Sequence, residues 1–321
     1  MSTWERPTPG VYGSSEGADV RHFLDVDDLT SAELAAVLDV ATEFKADHAE
    51  NGVHDRFDGR TLGMIFQKPS TRTRVSFETG MTQLGGHAIF LGESDIQLGH
   101  GEPLRDTSRA LSRYVDALMA RVFKHANAVE LARYADVPVI NGLTDDAHPC
   151  QTLADLLTIR ERHGGFEGVS AAWVGDGNNV AQSFVLGCAL TEVDLTVATP
   201  AGYGIDDPVV ERARELGGDP TVTTDPVEAV TDADVVYTDV WVSMGQEDER
   251  DVRMQDFEGF QVNRELLAHA PEASVMHCLP AHRGEEITDD VLERDRAIVW
   301  DQAANRLHAQ KGLLVWLDEQ R

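Results

Sequence analysis

The chain has 321 residues, which at roughly 100–200 residues per domain predicts about two domains. It carries 27 Lys and Arg residues against 56 Asp and Glu residues, a formal net charge of −29, and this excess of acid argues against nucleic acid as a partner. Hydrophobic residues make up 42% of the chain, enough for ordinary buried cores, but no apolar run approaches the ~20 residues of a membrane-spanning helix.

Lysine is scarce, and the basic residues are mostly arginine. The lysines are Lys45, Lys68, Lys124 and Lys311. An acidic, lysine-poor chain indicates a protein that works at high salt, where charge repulsion is screened over a few ångströms. A generally acidic enzyme of ordinary salt is the alternative.

The cysteines and the amino terminus bear on the compartment. The three cysteines form no CxxC pair, so neither a disulfide framework nor a structural zinc site is predicted. The amino terminus has no basic start followed by an apolar stretch, so no signal peptide is predicted. We therefore expect a reducing, cytoplasmic location.

The first half of the sequence alternates segments of strand character with segments of helical spacing. A helix is predicted from about Leu29 to Ala49, where Thr30 and Glu33 have the spacing of a capping box. Apolar runs of strand length stand at 61–68, 87–92, 117–123 and 138–141. Helical spacing occurs at 71–84, 106–114, 126–135 and 151–162.

The same alternation resumes after residue 165. Strands are predicted at 170–177, 194–200, 234–240, 274–280 and 297–303, and a last helix from about Ala303 to Leu317. Apolar strands separated by helices indicate parallel sheets covered on both faces. We predict an α/β chain of two domains, residues 1–150 and 151–303, each with a central parallel β-sheet flanked by helices. The segment 304–321 is expected to pack back on the first domain, and the active site to lie in the interdomain cleft.

The segment PSTRTR (Pro69–Arg74) follows a predicted strand and opens a predicted helix. Backbone N–H groups and the positive end of a helix dipole meet at such a place. Its hydroxyl residues add donors, and Arg72 and Arg74 add guanidinium groups suited to phosphate oxygens. The segment therefore predicts a phosphate or other anion site, although a simple helix cap with two solvated arginines is the alternative. It is not a P-loop, because the GxxxxGK[ST] pattern is absent.

Three motifs follow one another along the chain: STRTR at 70–74, HPCQ at 148–151 and HCLP at 277–280. Further segments accompany them: DIQLGH at 95–100, ARVF at 120–123, GDGNNV at 175–180, DVWVSMG at 239–245 and NRLHAQKGLL at 305–314. Together they resemble the aspartate/ornithine carbamoyltransferase family over nearly the whole chain. SMG and HCLP resemble the ornithine branch, because the aspartate branch is expected to carry HPLP and to lack SMG.

The resemblance implies a carbamoyl-phosphate site. The phosphate of carbamoyl phosphate would be bound by Ser70, Thr71, Arg72 and Thr73. Arg121 would add charge near the phosphate and carbonyl oxygens, and His148 would hydrogen-bond the carbonyl oxygen. Gln151 would hydrogen-bond the carbamoyl amide, and Arg306 would lie near the carbamoyl group.

The resemblance also implies an ornithine site. The two ends of the amino acid would be received by Asn179, Asp239, Ser243 and Met244. Cys278 and Leu279 would lie beside the reacting amine and complete the carbamoyl-phosphate site. Gln97 matches a position that reaches into the neighbouring subunit's site, and Gly101 stands where the family often has lysine. A homotrimer, or a multiple of trimers, is implied, and the acidic segment 245–251 is expected to be a solvated loop that closes over ornithine.

The implied reaction is attack of the ornithine side-chain amine on the carbamoyl carbon, with phosphate as the leaving group and citrulline as the product. Charge builds on the carbonyl oxygen and on the phosphate, so preplaced donors are needed at both. The catalytic candidates are Arg121, His148, Asp239, Cys278 and Arg306. Because the amine must be neutral to attack, Asp239 and Cys278 are the candidates to orient and deprotonate it. No metal and no organic cofactor is expected.

Several candidates also have a purely structural interpretation. His148 could be a satisfied core histidine, Cys278 a small buried hydrophobe, and Asp239 a cap for the loop that follows its strand. Arg306 is predicted near a helix start, where the dipole disfavours a cation, so an anionic partner is favoured.

The same residues bear on other functions. GDGNNV lacks the third glycine of GxGxxG, which argues against a nicotinamide site. The rivals are a carbamoyltransferase for putrescine or aspartate and a non-catalytic anion-binding subunit. Asn179 and Ser243 to Gly245 suit an α-amino acid end, which putrescine lacks.

Overall fold

The computed structural model describes residues 20–93 and 101–321, which form two compact units. Of these described residues, the first unit comprises those up to Leu153 together with Arg306–Arg321, and the second comprises Ala154–Asn305. The predicted segment at 95–100, including Gln97, lies outside the described residues. None of the described helices combines the length and the apolar character needed to cross a membrane.

The first unit is built on a parallel sheet in the order β2-β1-β3-β4. Its strands are β1 Thr61–Phe66, β2 His87–Gly92, β3 Ala117–Arg121 and β4 Val139–Leu143. Its helices are α1 Ser31–Asn51, α2 Thr71–Gln83, α3 Leu104–Leu111 and α4 His125–Tyr134, followed by the start of α5 Pro149–His163. Strand order reverses between β1 and β3, and an open sheet offers a ligand site at such a point.

Local sequence explains where the helices of this unit begin and how closely they pack. Thr30 caps α1, and its capping box with Glu33 is confirmed. Near the other end of the chain, α11 (Val299–Glu319) approaches α1 at Gly312. A Cβ at Gly312 would lie 2.6 Å from the carbonyl oxygen of Val37, so only glycine permits this helix contact.

The second unit has a parallel sheet in the order β7-β6-β5-β8-β9. Its strands are β5 Ser170–Val174, β6 Asp194–Ala198, β7 Thr221–Thr223, β8 Val235–Thr238 and β9 Ser274–His277. Its helices, besides parts of α5 and α11, are α6 Asn179–Thr191, α7 Asp207–Glu215, α8 Pro226–Val230, α9 Arg250–Asp256 and α10 Asp289–Leu292. Here the order reverses between β5 and β8. The predicted α/β class with two parallel sheets is confirmed.

One predicted element is wrong. The segment 297–303 is not a strand: Ala297 makes a single bridge to Val275, and α11 begins at Val299. A four-residue apolar run has no periodicity of its own that separates strand from helix, and the helical pattern of the following residues extends back over it. Arg306 therefore lies inside a helix rather than near its start, and the dipole argument for an anionic partner does not apply. The short exposed strand β7 carries no apolar signal and was not predicted.

Candidate active site

The carboxyl ends of β1 and β3 carry the residues of the STRTR motif and Arg121. Ser70 caps α2 with extended backbone, and its hydroxyl oxygen accepts a hydrogen bond from the Thr73 N–H at 3.3 Å. Thr71 and Arg72 form the first turn of this helix, exposed and half-buried respectively. The loop therefore presents the amino end of a 13-residue helix at the strand-order reversal.

The hydroxyl of Thr73 lies at the centre of a buried polar cluster. Ser70 Oγ is 3.1 Å from Thr73 Oγ1, and one guanidinium nitrogen each of Arg121 and Arg306 donates to that oxygen at 3.4 Å. Arg306 donates through its other terminal nitrogen to Gln151 Oε1 at 2.7 Å. We call the following residues the Thr73 cluster: Ser70, Thr73, Arg121, His148, Gln151 and Arg306.

His148 is buried in the Thr73 cluster and surrounded by cations. Burial, and then the charges of Arg306, Arg121 and Arg72, hold the pKa of His148 well below its usual value. The imidazole is therefore neutral near pH 7 and offers one N–H donor without adding charge. Three arginines beside a neutral histidine concentrate positive charge in a chain of net charge −29, which suits a small anion with a polar carbonyl.

Lys68 ties together the loops that carry the Thr73 cluster, and sequence reasoning missed it. Its ammonium group pairs with Asp145 and lies 4.6 Å from the ring centre of Phe123. Asp145 N–H in turn donates to the Phe123 carbonyl at 2.8 Å. These contacts join the segments that lead to Ser70, Arg121 and His148. The signal in the sequence was the retention of a lysine immediately before PSTRTR in a lysine-poor chain.

Arg74, the second arginine of the motif, has other partners. It is exposed, its Nε donates to Glu78 at 2.9 Å, and its guanidinium carbon lies 3.9 Å from the ring centre of Phe90. These contacts place Arg74 on the surface of α2. They do not direct its guanidinium group toward an anion, as the motif suggested.

In the second unit, side chains at the carboxyl ends of β5, β8 and β9 converge on Asp239. The Cys278 thiol donates to one carboxylate oxygen of Asp239 at 3.0 Å, and the Asn178 amide donates to the other at 2.8 Å. Asn178 also caps α6 by accepting from Val180 N–H and Ala181 N–H. Asn179, the predicted ligand, is the half-buried first residue of that helix. Asparagine is a preferred residue at the start of a helix, and this preference could have identified Asn178 as the cap of α6.

The HCLP turn is held from behind by a buried histidine and carboxylate. Leu279 N–H donates to His277 Nδ1 at 2.9 Å, which places the imidazole proton on Nε2, 3.1 Å from Glu286 Oε1. Both His277 and Glu286 are buried, while Leu279 takes a left-handed backbone with φ 61°. This turn presents Cys278 toward Asp239.

Asp239, His277 and Cys278 also form a group with metal-ligand chemistry among the described residues. Their donor atoms lie within 4.8 Å of one another. Both ring nitrogens of His277 are already engaged, by Leu279 N–H and by Glu286, and both oxygens of Asp239 accept hydrogen bonds. The three side chains thus form a hydrogen-bonded cluster whose bonds a metal would have to break.

The SMG loop follows β8. Ser243 is half-buried and its N–H donates to Gln246 Oε1 at 3.1 Å, whereas Met244 is 52% exposed. The acidic segment after Gly245 is exposed and contains a 3-10 turn at Glu247–Glu249 before α9 begins. Gly101 is exposed in a turn with φ 94°.

Two family models match the chain. The one described as "Aspartate/ornithine carbamoyltransferase, carbamoyl-P binding domain" matches residues 21–161, and the one described as "Aspartate/ornithine carbamoyltransferase, Asp/Orn binding domain" matches residues 167–317. The chain belongs to the aspartate/ornithine carbamoyltransferase family. The second match runs into α11, whereas the structure assigns residues from Arg306 onward to the first unit.

Individual members of the aspartate/ornithine carbamoyltransferase family are similar over nearly their whole length. An ornithine carbamoyltransferase from Haloquadratum walsbyi is 66% identical over 296 residues, covering 92% of this chain and 97% of the relative. The solved structure of ornithine carbamoyltransferase from Pyrococcus furiosus is 54% identical with a TM-score of 0.88, over 92% of this chain and 96% of that one. The anabolic ornithine carbamoyltransferase structure from Campylobacter jejuni is 38% identical with a TM-score of 0.89, over 94% and 100%.

Within this family framework, Arg253 on α9 joins the loops at the carboxyl ends of three strands. Its NH1 donates to Asp176 Oδ2 at 3.1 Å and to the Trp241 carbonyl at 3.0 Å. Its guanidinium carbon lies 4.9 Å from the ring centre of Tyr203. Burial raises the pKa of Asp176 to about 6, and Arg253 opposes that rise. Arg253 also pairs with the nearby Glu249, but no sequence pattern marked its contact with Asp176, because the two residues are distant along the chain.

Replacement of Arg253 by methionine is expected to destabilise the protein more at pH 8 than at pH 5. At pH 8 the variant buries the Asp176 carboxylate without its cation, a loss of about 3–5 kcal/mol. Because the pKa of Asp176 is raised in the folded protein, the folded state binds a proton that the unfolded state has already released between about pH 4 and the folded pKa. The stability of the variant therefore falls as pH rises through that range, and the destabilisation by the mutation is smaller at pH 5. Thermal unfolding at both pH values measures this.

Arg250→Met is the matched control, because Arg250 pairs with Glu285 at an exposed position on the same helix. It should cost less than about 1 kcal/mol at either pH. Equal effects of Arg253→Met and Arg250→Met would contradict the role given to Arg253.

Proposed function

We infer that this chain is an ornithine carbamoyltransferase, which transfers the carbamoyl group of carbamoyl phosphate to the side-chain amine of L-ornithine. The observation that carries the inference is the Thr73 cluster, where two buried arginines and a neutral histidine meet at the amino end of α2. The curated relatives named ornithine carbamoyltransferase, one of them 66% identical, support the same acceptor.

The phosphate is proposed to bind at the amino end of α2. Ser70, Thr71 and Thr73 offer hydroxyl groups, the first turn offers backbone N–H groups, and Arg72 offers a guanidinium fork. Arg121 lies within reach through its contact with Thr73. These groups would bind a phosphate dianion and stabilise it further as it leaves with the electron pair of the broken carbon–oxygen bond.

The carbamoyl group is proposed to lie beside His148, Gln151 and Arg306. A neutral His148 donates to the carbonyl oxygen, on which negative charge builds as the amine attacks. Arg306, fixed by its 2.7 Å bond to Gln151, stabilises the same charge. Gln151 would accept from the carbamoyl amide, and the backbone of Leu279 would complete this part of the site. In this scheme the protein supplies charge and orientation, and no covalent intermediate forms.

The acceptor is proposed to bind among Asn179, Asp239, Ser243 and Met244, with Cys278 beside its reacting amine. Asp239 is already held by two donors, so its carboxylate has a fixed direction in which to accept from an ammonium or amine group. Met244 is exposed and the segment after it is solvated, which suits a loop that closes when ornithine binds.

The amine must lose a proton before it attacks, because an alkylamine is mostly protonated near pH 7. We propose that Asp239 and Cys278 orient the amine and take part in its deprotonation, and that the departing phosphate accepts a proton. The new carbon–nitrogen bond replaces the carbon–oxygen bond to phosphate, so citrulline and inorganic phosphate are the products. No metal and no organic cofactor enters this scheme.

The chain is proposed to act as a trimer or a multiple of trimers. Strand β2 is an edge of the first sheet, and Ile89 on it and Val75 on α2 are 40% and 54% exposed. Gln97 would reach a neighbouring subunit's site, and Gly101 would leave that contact without the lysine charge. Sedimentation at several protein concentrations tests this, and a monomer throughout would contradict it.

We propose that the enzyme acts in arginine biosynthesis, since a 54% identical relative is named the anabolic enzyme. We also propose that it is located in the cytoplasm. The net charge of −29 with few lysines supports work at high salt.

Carbamoyl transfer from carbamoyl phosphate should occur with ornithine, giving citrulline, and not with putrescine or aspartate. Asn179 and Ser243 suit an α-amino acid end, which putrescine lacks, and aspartate would call for more basic residues near HCLP. The rate should be higher in molar salt than in dilute buffer, where −29 charges repel one another unscreened. Product with putrescine or aspartate alone would keep the reaction and overturn the acceptor. No product with any acceptor, from folded protein in high salt, would contradict the function and favour a non-catalytic subunit.

The pH dependence of kcat/KM should change in Asp239→Asn and in Cys278→Ser, because each replaces a group of the 3.0 Å contact that can gain or lose a proton with one that cannot. Arg214→Met, at an exposed ion pair with Asp219, is the control and should keep the wild-type profile. Wild-type profiles in both Asp239→Asn and Cys278→Ser would remove these residues from proton transfer.

A further inference from the structure

Lys311 has no exposed surface, although lysine is seldom buried. Its side chain lies among three helices of the first unit: α1, α2 and α11. The ammonium nitrogen donates to Gln83 Oε1, on the last residue of α2, at 2.9 Å, and to the Phe44 carbonyl of α1 at 3.4 Å. One buried charge on α11 thus bonds to both neighbouring helices.

The helices around Lys311 are in direct contact. At Gly80 of α2, an added Cβ would lie at an ordinary van der Waals distance of 3.5 Å from both Leu307 Cδ1 and Lys311 Cγ, so these side chains of α11 pack on α2. On the other side, a Cβ at Gly312 would lie 2.7 Å from the Cβ of Ala41 on α1. Gly312 permits the close approach of α11 to α1, and the Lys311 ammonium group supplies the directional bonds that fix the register of α11.

The register of α11 along α2 matters because the two helices carry parts of the Thr73 cluster. Thr73 lies in the first turn of α2, and Arg306 lies five residues before Lys311 on α11. Arg306 reaches Thr73 Oγ1 at 3.4 Å, already the upper range of a hydrogen bond. A slip of one residue, about 1.5 Å along the helix axis, would break that contact.

We propose that Lys311 is a positioning residue for the anion site: by joining Gln83 and Phe44 it fixes α11 along α2 and holds Arg306 at the amino end of α2. The proposal rests on the proposed function only in taking phosphate as the anion that the Thr73 cluster binds.

Titratable groups lie near Lys311 and its neighbour His308 on α11: Asp47 of α1 acts on Lys311, and Lys45 and His48 of α1 act on His308, as does Lys311 itself. On α2 the ammonium meets the neutral Gln83. Burial lowers the pKa of Lys311 to about 8, with Asp47 opposing, and burial followed by the nearby cations lowers the pKa of His308 to about 4. His308 is therefore neutral above pH 6, and Lys311 loses charge as pH rises through 8. As Lys311 loses its charge around pH 8, the phosphate affinity of the wild type should fall, whereas the phosphate affinity of Lys311→Met should not change over the same pH range.

The test uses inorganic phosphate as the probe and calorimetry on the full chain in molar salt. Lys311→Met, which keeps the length of the side chain, should weaken phosphate binding roughly tenfold. Arg306→Met and the double variant complete a cycle. If Lys311 acts through Arg306, the double variant binds phosphate no more weakly than Arg306→Met alone. Lys124→Met removes an exposed lysine on α4's cap and should leave affinity unchanged.

Unchanged phosphate affinity in Lys311→Met, or additive losses in the cycle, would overturn the proposal. So would a lowered Tm with wild-type affinity, because that result is what a purely structural lysine gives. In turnover assays the KM for carbamoyl phosphate should rise while the KM for ornithine stays within about twofold. If Lys311→Met does not fold, Gln83→Met removes the acceptor on α2 and should weaken phosphate in the same direction.

The proposed function and this proposal fail separately. Phosphate binding involves no acceptor amine. A wild-type protein that binds phosphate but forms no citrulline would refute the function, and the affinity cycle would still decide the role of Lys311.

Discussion

Each sheet reverses its strand order at one place, and the candidate site residues depend on that constraint. In a parallel sheet, loops on either side of the reversal diverge and leave a crevice at the carboxyl ends of the strands. In the first unit the reversal lies between β1 and β3, which lead to Ser70 and Arg121. In the second it lies between β5 and β8, which lead to Asn179 and Asp239. Topology therefore gathers residues that are far apart in sequence.

Electrostatics then gives the two groups of residues different characters. The Thr73 cluster concentrates cations around a histidine whose pKa is too low for it to add another charge. The Asp239 group instead holds one carboxylate between a thiol and an amide. The Thr73 cluster suits an anion and the Asp239 group suits an amine. Carbamoyl transfer from carbamoyl phosphate to an amine requires a site for each. Because the chain as a whole has a net charge of −29, the group of arginines at Thr73 is a local region of opposite sign.

Much of this was predictable from sequence, because period and caps are local signals. The STRTR helix, its cap at Ser70 and the strands before Asp239 and Cys278 could be placed from apolar runs and turn residues. Contacts between distant segments could not. Lys68 with Asp145, and Arg253 with Asp176, join residues 77 positions apart in each case, and no period reports that. The false strand at 297–303 failed for the opposite reason, since a short apolar run fits either structure.

The most direct test is a crystal structure with an uncleavable analogue in which a phosphonate replaces the phosphate and the acyl group is joined to ornithine. In that structure the phosphonate oxygens should form hydrogen bonds with Ser70, Thr71 and Thr73, and the amino acid end should lie beside Asn179 and Ser243. A phosphonate bound away from the amino end of α2, or an ornithine end that avoids Asn179 and Ser243, would contradict this prediction.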